Sequence, residues 1–321
     1  MLNKIDYLRV SVTNKCNLRC VYCHPVGDKC MMESKDILEL DEIIYIIRLF
    51  VKSGIKRVRL TGGEPLFRKD ILQLVGEISS IEGIEDLSIT TNGVFLASLA
   101  SKLKEAGLKR INVSMDSTDR TTYKNITGFD LLPNITEGIH KAIEAGLNPV
   151  KINCVIVKGI NSGKKEILSL ARMSVDIPVA VRFVEYYPTS NSSIFTKEYF
   201  PNIEVRKIIE DEYGRIDEAP VTKGYGPAVY FKIKNSSGEI GFISGRSGMF
   251  CNQCNRLRLS CDGKIKPCLY AAKQYDLREM IRSGGDDEGI MQILNEIIHE
   301  KKSYNKQSKP MEEFSMQSIG G

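Results

Sequence analysis

Hydrophobic and polar residues follow two alternating periods between residues 36 and 185. Runs in which every second residue is apolar predict β-strands, and longer runs with apolar residues three or four positions apart predict helices. The predicted strands cover residues 7–12, 55–61, 87–91, 109–116, 149–157 and 179–185. The helices between them cover residues 41–54, 70–79, 96–106, 133–145 and 163–173, with Asp41 as the N-cap of the first. Alternation of strand and helix predicts a parallel sheet with right-handed crossovers, as an open sheet or a partial barrel.

The pattern changes after residue 188 and divides the chain into two predicted parts. Residues 1–188 form the core, and residues 189–321 form a C-terminal extension. In the extension, residues 203–209 have a helical pattern, while residues 228–233 and 238–243 are predicted to pair as a hairpin. The extension therefore mixes short helices and strands instead of repeating the unit of the core.

Polar residues concentrate at or near the carboxyl ends of the predicted strands, where parallel α/β folds bind ligands. Thr61-Gly62-Gly63-Glu64-Pro65 follows the second strand, and its two glycines let the backbone approach a ligand closely. A tight turn also suits these five residues. The polar residues at the ends of later strands are Thr90, Thr91, Ser114, Asp116 and Glu185.

Four basic residues alternate with apolar neighbours inside predicted strands, which sets them apart from ordinary surface residues. They are Arg9, Arg59, Lys151 and Arg182. Such a side chain points toward the interior, where a buried charge needs a partner. A bound triphosphate would supply that partner, because arginine forks bind phosphate oxygens bidentately. The alternative is an internal salt bridge to Glu64, Asp116 or Glu185.

Composition narrows the class of protein. The chain has 321 residues, of which 42% are hydrophobic and 26% charged, as in an ordinary globular protein. A net charge of +5 is too small and too scattered to predict nucleic-acid binding. No apolar run approaches the ~18 residues of a membrane span, and residues 1–6 lack the apolar core of a signal peptide. Nine cysteines, six of them in two clusters, predict thiolate-bound metal in a reducing compartment, the cytoplasm.

The first cysteine cluster, Cys16-x3-Cys20-x2-Cys23, follows the first predicted strand. Three thiolates can hold three corners of a [4Fe–4S] cubane and leave one iron open. The alternatives are zinc, with His24 nearby as a further ligand, and redox-active thiols. Because neighbouring side chains diverge, Cys23 and His24 are a poor pair for one tetrahedral metal, and the spacing favours iron–sulfur.

The second cluster, Cys251-x2-Cys254-x13-Cys268, has Cys261 between its last two members. The softness of the ligands suits zinc as well as iron–sulfur, and a fourth cysteine would complete a zinc site. From the residues alone, both interpretations stay open. Arg256 and Arg258 follow Cys254 two positions apart, so they share one face if the segment is extended.

The segment Arg9-x-Ser11-Val12-Thr13-x-x-Cys16-Asn17-x-x-Cys20-x-Tyr22-Cys23 resembles that of the radical S-adenosylmethionine (SAM) enzymes. From residue 7 to residue 321, the chain is most similar to the MoaA family, the GTP 3′,8-cyclases of molybdenum cofactor biosynthesis. This resemblance implies an α/β fold of the radical SAM type: a partial (β/α)6 TIM-like barrel, closed by the C-terminal extension. It also implies two three-cysteine [4Fe–4S] clusters, each with an open iron, and makes Cys261 a bystander.

The resemblance also implies roles for individual residues. Cys16, Cys20 and Cys23 would hold the cluster that binds SAM, and Cys251, Cys254 and Cys268 would hold the second. The implied SAM contacts are Tyr22, Gly63, Glu64, Ser114 and Tyr187. The implied GTP contacts are Arg9, Arg59, Thr90, Lys151, Arg182, Arg256 and Arg258, with Thr90 and Thr91 hard to tell apart. Catalytic roles would fall to Arg9, Arg256 and Arg258, and to Gly320 and Gly321 of a tail that enters the active site.

The implied activity is the conversion of GTP to (8S)-3′,8-cyclo-7,8-dihydroguanosine 5′-triphosphate, the first step of molybdopterin biosynthesis. The implied partners are GTP, an electron donor such as flavodoxin or ferredoxin and the downstream cyclic pyranopterin monophosphate synthase; homodimerisation is left open. His24 and Tyr187 stand where the family usually has methionine, which leaves room for a paralogue that modifies a peptide or another substrate. A metal-stabilised nucleotide-binding regulator is the non-enzymatic alternative.

Overall fold

The computed structural model describes residues 5–23, 36–186, 198–219, 226–248, 254–269, 271 and 273–303. Their strands form one twelve-stranded mixed sheet, and the longer helices pack against it and against one another. Within these residues, no helix combines the length and the apolar character needed to cross a bilayer.

Six parallel strands form the centre of the sheet in chain order. They are β1 (Tyr7–Ser11), β2 (Arg57–Thr61), β3 (Asp86–Thr91), β4 (Arg110–Ser114), β5 (Val150–Ile156) and β6 (Val179–Glu185). The crossovers contain α1 (Leu40–Lys52), α2 (Ile71–Ser79), α3 (Leu96–Glu105), α4 (Arg120–Thr127), α5 (Leu132–Glu144) and α6 (Lys164–Asp176). Because consecutive strands are neighbours and such crossovers share one hand, these helices are expected on one face of the sheet.

The residues after β6 extend the sheet at both edges. The first group is α7 (Asn202–Tyr213), β7 (Asp217–Glu218), β8 (Val229–Lys232) and β9 (Glu239–Ile243), with β9 parallel to β6. The second group is β10 (Arg256–Leu259), β11 (Lys264–Lys266), β12 (Tyr275–Asp276), α8 (Leu277–Arg282) and α9 (Asp287–Ser303), with β10 parallel to β1. The strand order is β12-β11-β10-β1-β2-β3-β4-β5-β6-β9-β8-β7.

The predicted α/β class with a parallel core is confirmed, and so is the antiparallel hairpin of β8 and β9. The predicted closure of the barrel is not confirmed. In the described part of the chain β12 and β7 end the strand order at opposite edges, so the sheet is open. The extension adds strands to each edge instead of joining the edges. The division at residue 188 stays a prediction, since strands from both sides of it share the sheet.

The face of the sheet toward the helices is apolar. Val10 and Leu60 on this face join a buried core with residues such as Ile43 and Ile47 of α1. Burial of each such side chain contributes roughly 1.5–3 kcal/mol. The prediction that Asp41 caps α1 is wrong, because Glu39 is the N-cap and its amide donates to the Glu42 side chain at 2.8 Å. The opposite face of the sheet carries the polar side chains of the same strands, and these build the candidate site.

Candidate active site

The first three cysteines lie on the loop that leaves the carboxyl end of β1. The amides of Arg19 and Val21 donate to carbonyl oxygens at the C-terminal end of α4, both at 2.9 Å. Cys23 closes a turn by donating its amide to the carbonyl of Cys20 at 3.0 Å. All three cysteines of the loop, including Cys16, are partly buried and free of disulfides. The loop is thus held in place by main-chain hydrogen bonds that leave the thiols available as ligands.

The Gly-Gly-Glu-Pro segment after β2 packs directly on the start of that loop. The amide of Gly63 donates to the carbonyl of Thr13, and the amide of Glu64 donates to the carbonyl of Lys15, both at 2.8 Å. A Cβ added to Gly63 would overlap the Lys15 backbone, and Gly62 has a φ of +140°. The close approach of two backbone segments therefore requires these glycines, in addition to any turn or ligand.

Glu64 is fully buried and its carboxylate is held by three donors. The Thr91 hydroxyl and the Leu66 amide donate to Oε1 at 2.6 and 2.9 Å, and the Asn92 amide donates to Oε2 at 2.6 Å. Burial raises the pKa of Glu64 to about 7, although these hydrogen bonds oppose the shift. The Asn92 side-chain amide donates to Oδ1 of Asn17 in the cysteine loop at 2.7 Å. We call this set of hydrogen bonds, which connects β2, β3 and the cysteine loop, the loop clamp. It occupies the Glu64 carboxylate that was predicted to contact SAM.

Tyr22 is anchored through Asp116, just beyond the end of β4. The Tyr22 hydroxyl donates to Oδ2 of Asp116, and Oδ1 accepts from the Val155 amide of β5 at 2.8 Å. Burial raises the pKa of Asp116 to about 6, against the effect of these two hydrogen bonds. Ser114, the other predicted SAM contact on β4, is the last residue of that strand. The cysteine loop is therefore fixed to three neighbouring strands at their carboxyl ends.

The surroundings of the thiols in this loop oppose their ionisation. Burial, followed by repulsion from neighbouring thiolates and Asp116, raises the pKa of Cys20 well above its usual value and that of Cys23 to about 12. A positively charged group is needed to keep such thiols ionised. The core of a [4Fe–4S] cluster would supply that positive charge, and three thiolates are ligands that it takes.

On the face of the sheet away from the helices, basic side chains stand in rows across the strands. One row, from β10 to β4, consists of Arg258, Arg9, Arg59, Ser88 and Arg110. The row nearer the amino ends consists of Arg256, Tyr7, Arg57 and Asp86. The rows nearer the carboxyl ends contain Thr90, Asn112 and Lys151, and then Ser114, Asn153 and Arg182. Since neighbouring strands are ~4.8 Å apart, this basic face concentrates cations within a small area.

The cations of the basic face are buried, and burial disfavours the charged form of a side chain. Arg9, Arg59, Lys151 and Arg182 are each at most 8% exposed. Burial and repulsion from neighbouring arginines lower the pKa of Arg59 to about 10 and that of Lys151 to about 6. The same causes lower the pKa of Arg9 well below its usual value. A face of this kind is stabilised by a polyanion that restores the charge balance.

The three acids proposed as internal partners of these cations are engaged elsewhere. Glu64 and Asp116 hold the cysteine loop, as described above. Glu185 accepts the Ser247 hydroxyl at 2.6 Å and the backbone amides of residues 202, 246 and 247. Within the described residues, Nε of Arg9 has no hydrogen-bond partner. The geometry therefore favours an external anion over internal salt bridges to these acids.

The structure separates Thr90 from Thr91. The Thr91 hydroxyl donates to Glu64 and accepts from the Gly93 amide at 3.0 Å, so it belongs to the loop clamp. The Thr90 hydroxyl has no hydrogen-bond partner in the part of the chain that the structure describes. Thr90 also shares its row with Lys151 on the basic face. Thr90 is therefore the better placed of the two for a ligand, and its contact with GTP stays a prediction.

Two polar residues of β4 complete the basic face, although the sequence predictions omit them. Arg110 makes an ion pair with Asp86, with Nε donating to Oδ1 at 2.8 Å. Asn112 accepts from Arg182 at 2.7 Å and so fixes the guanidinium of a predicted GTP contact. A signal was present in the sequence, because Arg110, Asn112 and Ser114 alternate with apolar residues as Arg57, Arg59 and Thr61 do.

Of the second group of cysteines, Cys254 precedes β10 and Cys268 follows β11, and these two strands pair antiparallel. The register places Cys268 back beside the start of β10, which Cys254 precedes by two residues. Cys261 lies in the turn at the other end of the hairpin, fully buried, with its carbonyl accepting the Leu38 amide at 2.8 Å. That Cys261 is a bystander stays a prediction.

Cys254 lies in a positively charged environment. The ammonium of Lys301 on α9 donates to its Sγ at 3.4 Å. Burial alone would raise the pKa of Cys254, but Arg256 and Lys301 outweigh it and lower the pKa to about 7. Such surroundings favour the thiolate that a metal or cluster requires. Lys301 is absent from the predicted site residues.

Cys16 and Cys254 lie at opposite ends of the basic face. Cys16 follows the carboxyl end of β1, while Cys254 precedes β10, which runs parallel to β1 with Arg256 opposite Tyr7. The four residue steps of β1 span ~13 Å at ~3.3 Å per residue. The arrangement leaves two thiol-lined ends with a buried cationic surface between them.

Five of the sequence-based assignments fall on residues outside the described ranges. They are the metal ligand Cys251, the departures His24 and Tyr187, and the tail residues Gly320 and Gly321. Their roles stay predictions.

Family models match the chain in two adjoining blocks. The model of the radical SAM superfamily matches residues 10–171, and the model named Molybdenum Cofactor Synthesis C matches residues 179–307. The first block contains the last two residues of β1, the cysteine loop and the whole of β2 to β5, and the second contains the β10–β11 hairpin and Lys301.

Curated relatives resemble the chain over almost all its length. The GTP 3′,8-cyclase of Pelotomaculum thermopropionicum is 43% identical over 92% of this chain and 90% of its own. That of Thermodesulfovibrio yellowstonii is 40% identical over 99% and 98%. Human molybdenum cofactor biosynthesis protein 1 is 38% identical over 92% of this chain and 46% of its own. Among solved structures, Streptococcus suis SuiB bound to S-adenosylmethionine shares the fold with a TM-score of 0.61 at 16% identity, covering 91% of this chain and 68% of that one.

Proposed function

Because this chain belongs to the radical SAM superfamily and, within it, to the GTP 3′,8-cyclase family, we infer that it is a radical SAM lyase that acts on GTP. It converts GTP to (8S)-3′,8-cyclo-7,8-dihydroguanosine 5′-triphosphate in molybdenum cofactor biosynthesis. The observation that carries this function in the chain itself is the buried basic face between two cysteine groups. It provides the charge that a triphosphate needs and lies within reach of a radical source.

The first cysteine loop is the proposed SAM site. We propose that Cys16, Cys20 and Cys23 hold a [4Fe–4S] cluster; when bound, it supplies the electron that cleaves SAM to methionine and the 5′-deoxyadenosyl radical. The chain's own contribution is position and exclusion of water. Glu64 and Asn92 hold the loop against β3, while Tyr22 and Asp116 hold it against β4 and β5. SAM would then contact Tyr22, Gly63, Ser114 and Tyr187, with Glu64 acting mainly through the loop.

The basic face is the proposed GTP site. Arg9, Arg59, Lys151 and Arg182 would bind the triphosphate, with the Thr90 hydroxyl as a further donor. Arg256 and Arg258 extend this surface toward the second group of cysteines. The ribose would face the SAM site, so that hydrogen is taken from C3′, and the purine would face the hairpin. We propose that Cys251, Cys254 and Cys268 hold a second [4Fe–4S] cluster there, with an iron left open for the purine.

Further assignments belong to the same proposal. The C-terminal extension, residues 189–321, would cover the mouth of a partial barrel, and the Gly320-Gly321 tail would enter the site. The electron would come from a flavodoxin or ferredoxin in the cytoplasm, and the product would pass to a cyclic pyranopterin monophosphate synthase. A homodimer is compatible with this arrangement.

Release of 5′-deoxyadenosine by anaerobically reconstituted protein tests the proposed function. With SAM and dithionite, we expect release to rise at least tenfold when GTP is added, and ATP to have little effect, because the purine edge is part of the recognition. Iron and sulfide analysis on the same sample should give about eight irons per chain if both sites bind cubanes. Release that is indifferent to GTP would instead favour a peptide-modifying paralogue, and absence of release would favour a nucleotide-binding regulator.

Binding of GTP should take up a proton at Lys151. Burial, with the nearby Arg182, Arg110 and Arg59, lowers the pKa of Lys151 to about 6, so the amine is mostly neutral at pH 7.5 in the free protein. A triphosphate beside it raises that pKa, so GTP affinity should fall as pH rises above ~6. Calorimetry at pH 7.5 in two buffers of different ionisation enthalpy measures the uptake. Lys151→Met should abolish it, and equal enthalpies for the wild-type protein in both buffers would contradict the expectation.

A further inference from the structure

The helix α9 carries a lysine where its pattern calls for an apolar residue. Ile290, Leu294 and Ile297 are fully buried and lie three or four positions apart, so they form the face of α9 that packs into the protein. The next position on that face is Lys301, which is only 8% exposed. A lysine at the last turn of a helix is favoured by the helix dipole, but that effect does not require burial. The burial of Lys301 therefore needs another explanation.

The Lys301 ammonium is directed at a thiol of the second cysteine group. It donates to Sγ of Cys254 at 3.4 Å, the contact distance of a charged hydrogen bond to sulfur. Cys254 precedes β10 and Cys268 follows β11, its antiparallel partner, at the end of the basic face away from the proposed SAM site. A buried ammonium is costly unless it is paired, and a thiolate, or a cluster bound through that thiolate, supplies the negative charge.

We propose that Lys301 is a positioning residue for the second cluster: its hydrogen bond holds the Cys254 thiolate and raises the reduction potential of the cluster bound there. This inference rests on the part of the proposed function that assigns Cys251, Cys254 and Cys268 to a [4Fe–4S] cluster. Hydrogen bonds and positive charges near the sulfurs stabilise the reduced, more negative cluster and so raise its potential. Lys301 would thus connect α9 to the redox state of the site that faces the purine.

Electron paramagnetic resonance during a redox titration tests the inference directly. In full-length protein with Cys16, Cys20 and Cys23 replaced by alanine, any remaining cubane signal comes from the second site. Lys301→Met in this background should shift the midpoint potential to a more negative value, because the donor and the charge are both lost. Lys301→Arg keeps both and should restore most of the potential. Lys273→Met is the matched control, because it removes an equal charge from a side chain that does not contact Cys254. Lys273 is 60% exposed and interacts with Glu300 and Tyr275.

The outcomes separate the inference from the proposal beneath it. If the parent protein, with its three alanine replacements, binds no iron, the assignment of a second cluster is wrong, and the role proposed for Lys301 is wrong with it. If the parent binds about four irons and Lys301→Met has the parent's potential, only the role of Lys301 is overturned. A loss of iron in Lys301→Met, with about four irons kept in Lys301→Arg and in Lys273→Met, supports the positioning role. A potential that shifts equally in Lys273→Met would reduce the effect to general charge and contradict the specific hydrogen bond.

Discussion

Replacing Gly63 with alanine should reduce SAM cleavage about 100-fold and lower the iron bound at the first site, because it displaces the cysteine loop. A Cβ at this position would overlap the backbone of Lys15, and a backbone segment cannot move aside as a flexible side chain can. The Lys15 segment leads directly to Cys16, and it is held by the hydrogen bonds from Gly63 and Glu64. The same overlap should cost roughly 1–3 kcal/mol of unfolding free energy.

The matched control is Gly76→Ala in α2. An added Cβ there meets no atom within 4 Å, and alanine is the better helix former. We expect Gly76→Ala to gain ~0.5–1 kcal/mol and to keep normal iron content and cleavage. The measurements are iron analysis, 5′-deoxyadenosine release and thermal unfolding of both variants. Full iron content and normal cleavage in Gly63→Ala would show that the close packing of the two segments does not fix the loop.

The strand–helix alternation was sufficient to predict the central sheet. All six central strands are present, and β6 has the predicted bounds, Val179–Glu185. The apolar stripe on one face and the alternating basic residues on the other come from the same period of two, so the sequence also predicts which side chains lie together. Arg9 and Arg59 are paired neighbours in the sheet for this reason.

The helix α4 shows where local pattern fails. Its sequence, Arg120–Thr127, is rich in β-branched and polar residues, which hides an amphipathic helix whose Tyr123 and Ile126 are buried. The remaining signal was its N-cap, since the Asp119 side chain accepts the Thr122 amide at 2.8 Å. The omission matters for the site, because α4 is the element whose C-terminal end holds the cysteine loop.

The pairing of the extension with the core depends on contacts between residues far apart in sequence. Local periodicity contains no information that places β10 beside β1, about 250 residues earlier. That register decides the surroundings of Arg256 and Arg258, and the β10–β11 register separates Cys261 from Cys254. Because these registers are not encoded locally, the spacing of the cysteines could not decide which of them are ligands at the second site. The role of Glu64 was hidden for a similar reason, because its three donors come from different segments.

Replacing Arg9 with methionine should change stability and function in opposite directions. Arg9 is buried between Arg258 and Arg59 on neighbouring strands, and its Nε has no partner among the described residues. Removing its charge relieves repulsion and desolvation, so the free energy of unfolding of the GTP-free protein should stay constant or rise by ~1–2 kcal/mol. GTP affinity should fall by a factor of about 10–100, the effect of losing one charged hydrogen-bonding group at ~1.5–3 kcal/mol.

Opposite signs of the two effects are what distinguish a ligand-binding cation from a structural one. A structural arginine would lose stability and binding together when replaced, because the acid that paired with it would be left buried and alone. The control is Arg172→Met on α6, whose side chain is 71% exposed and paired with Asp176; both quantities should stay within ~0.5 kcal/mol of the wild-type values. Urea unfolding without ligand and calorimetric GTP titration, both anaerobic, measure the two quantities. A destabilised Arg9→Met with unchanged GTP affinity would contradict the view that this face of the sheet is kept electrically unbalanced in order to bind a polyanion.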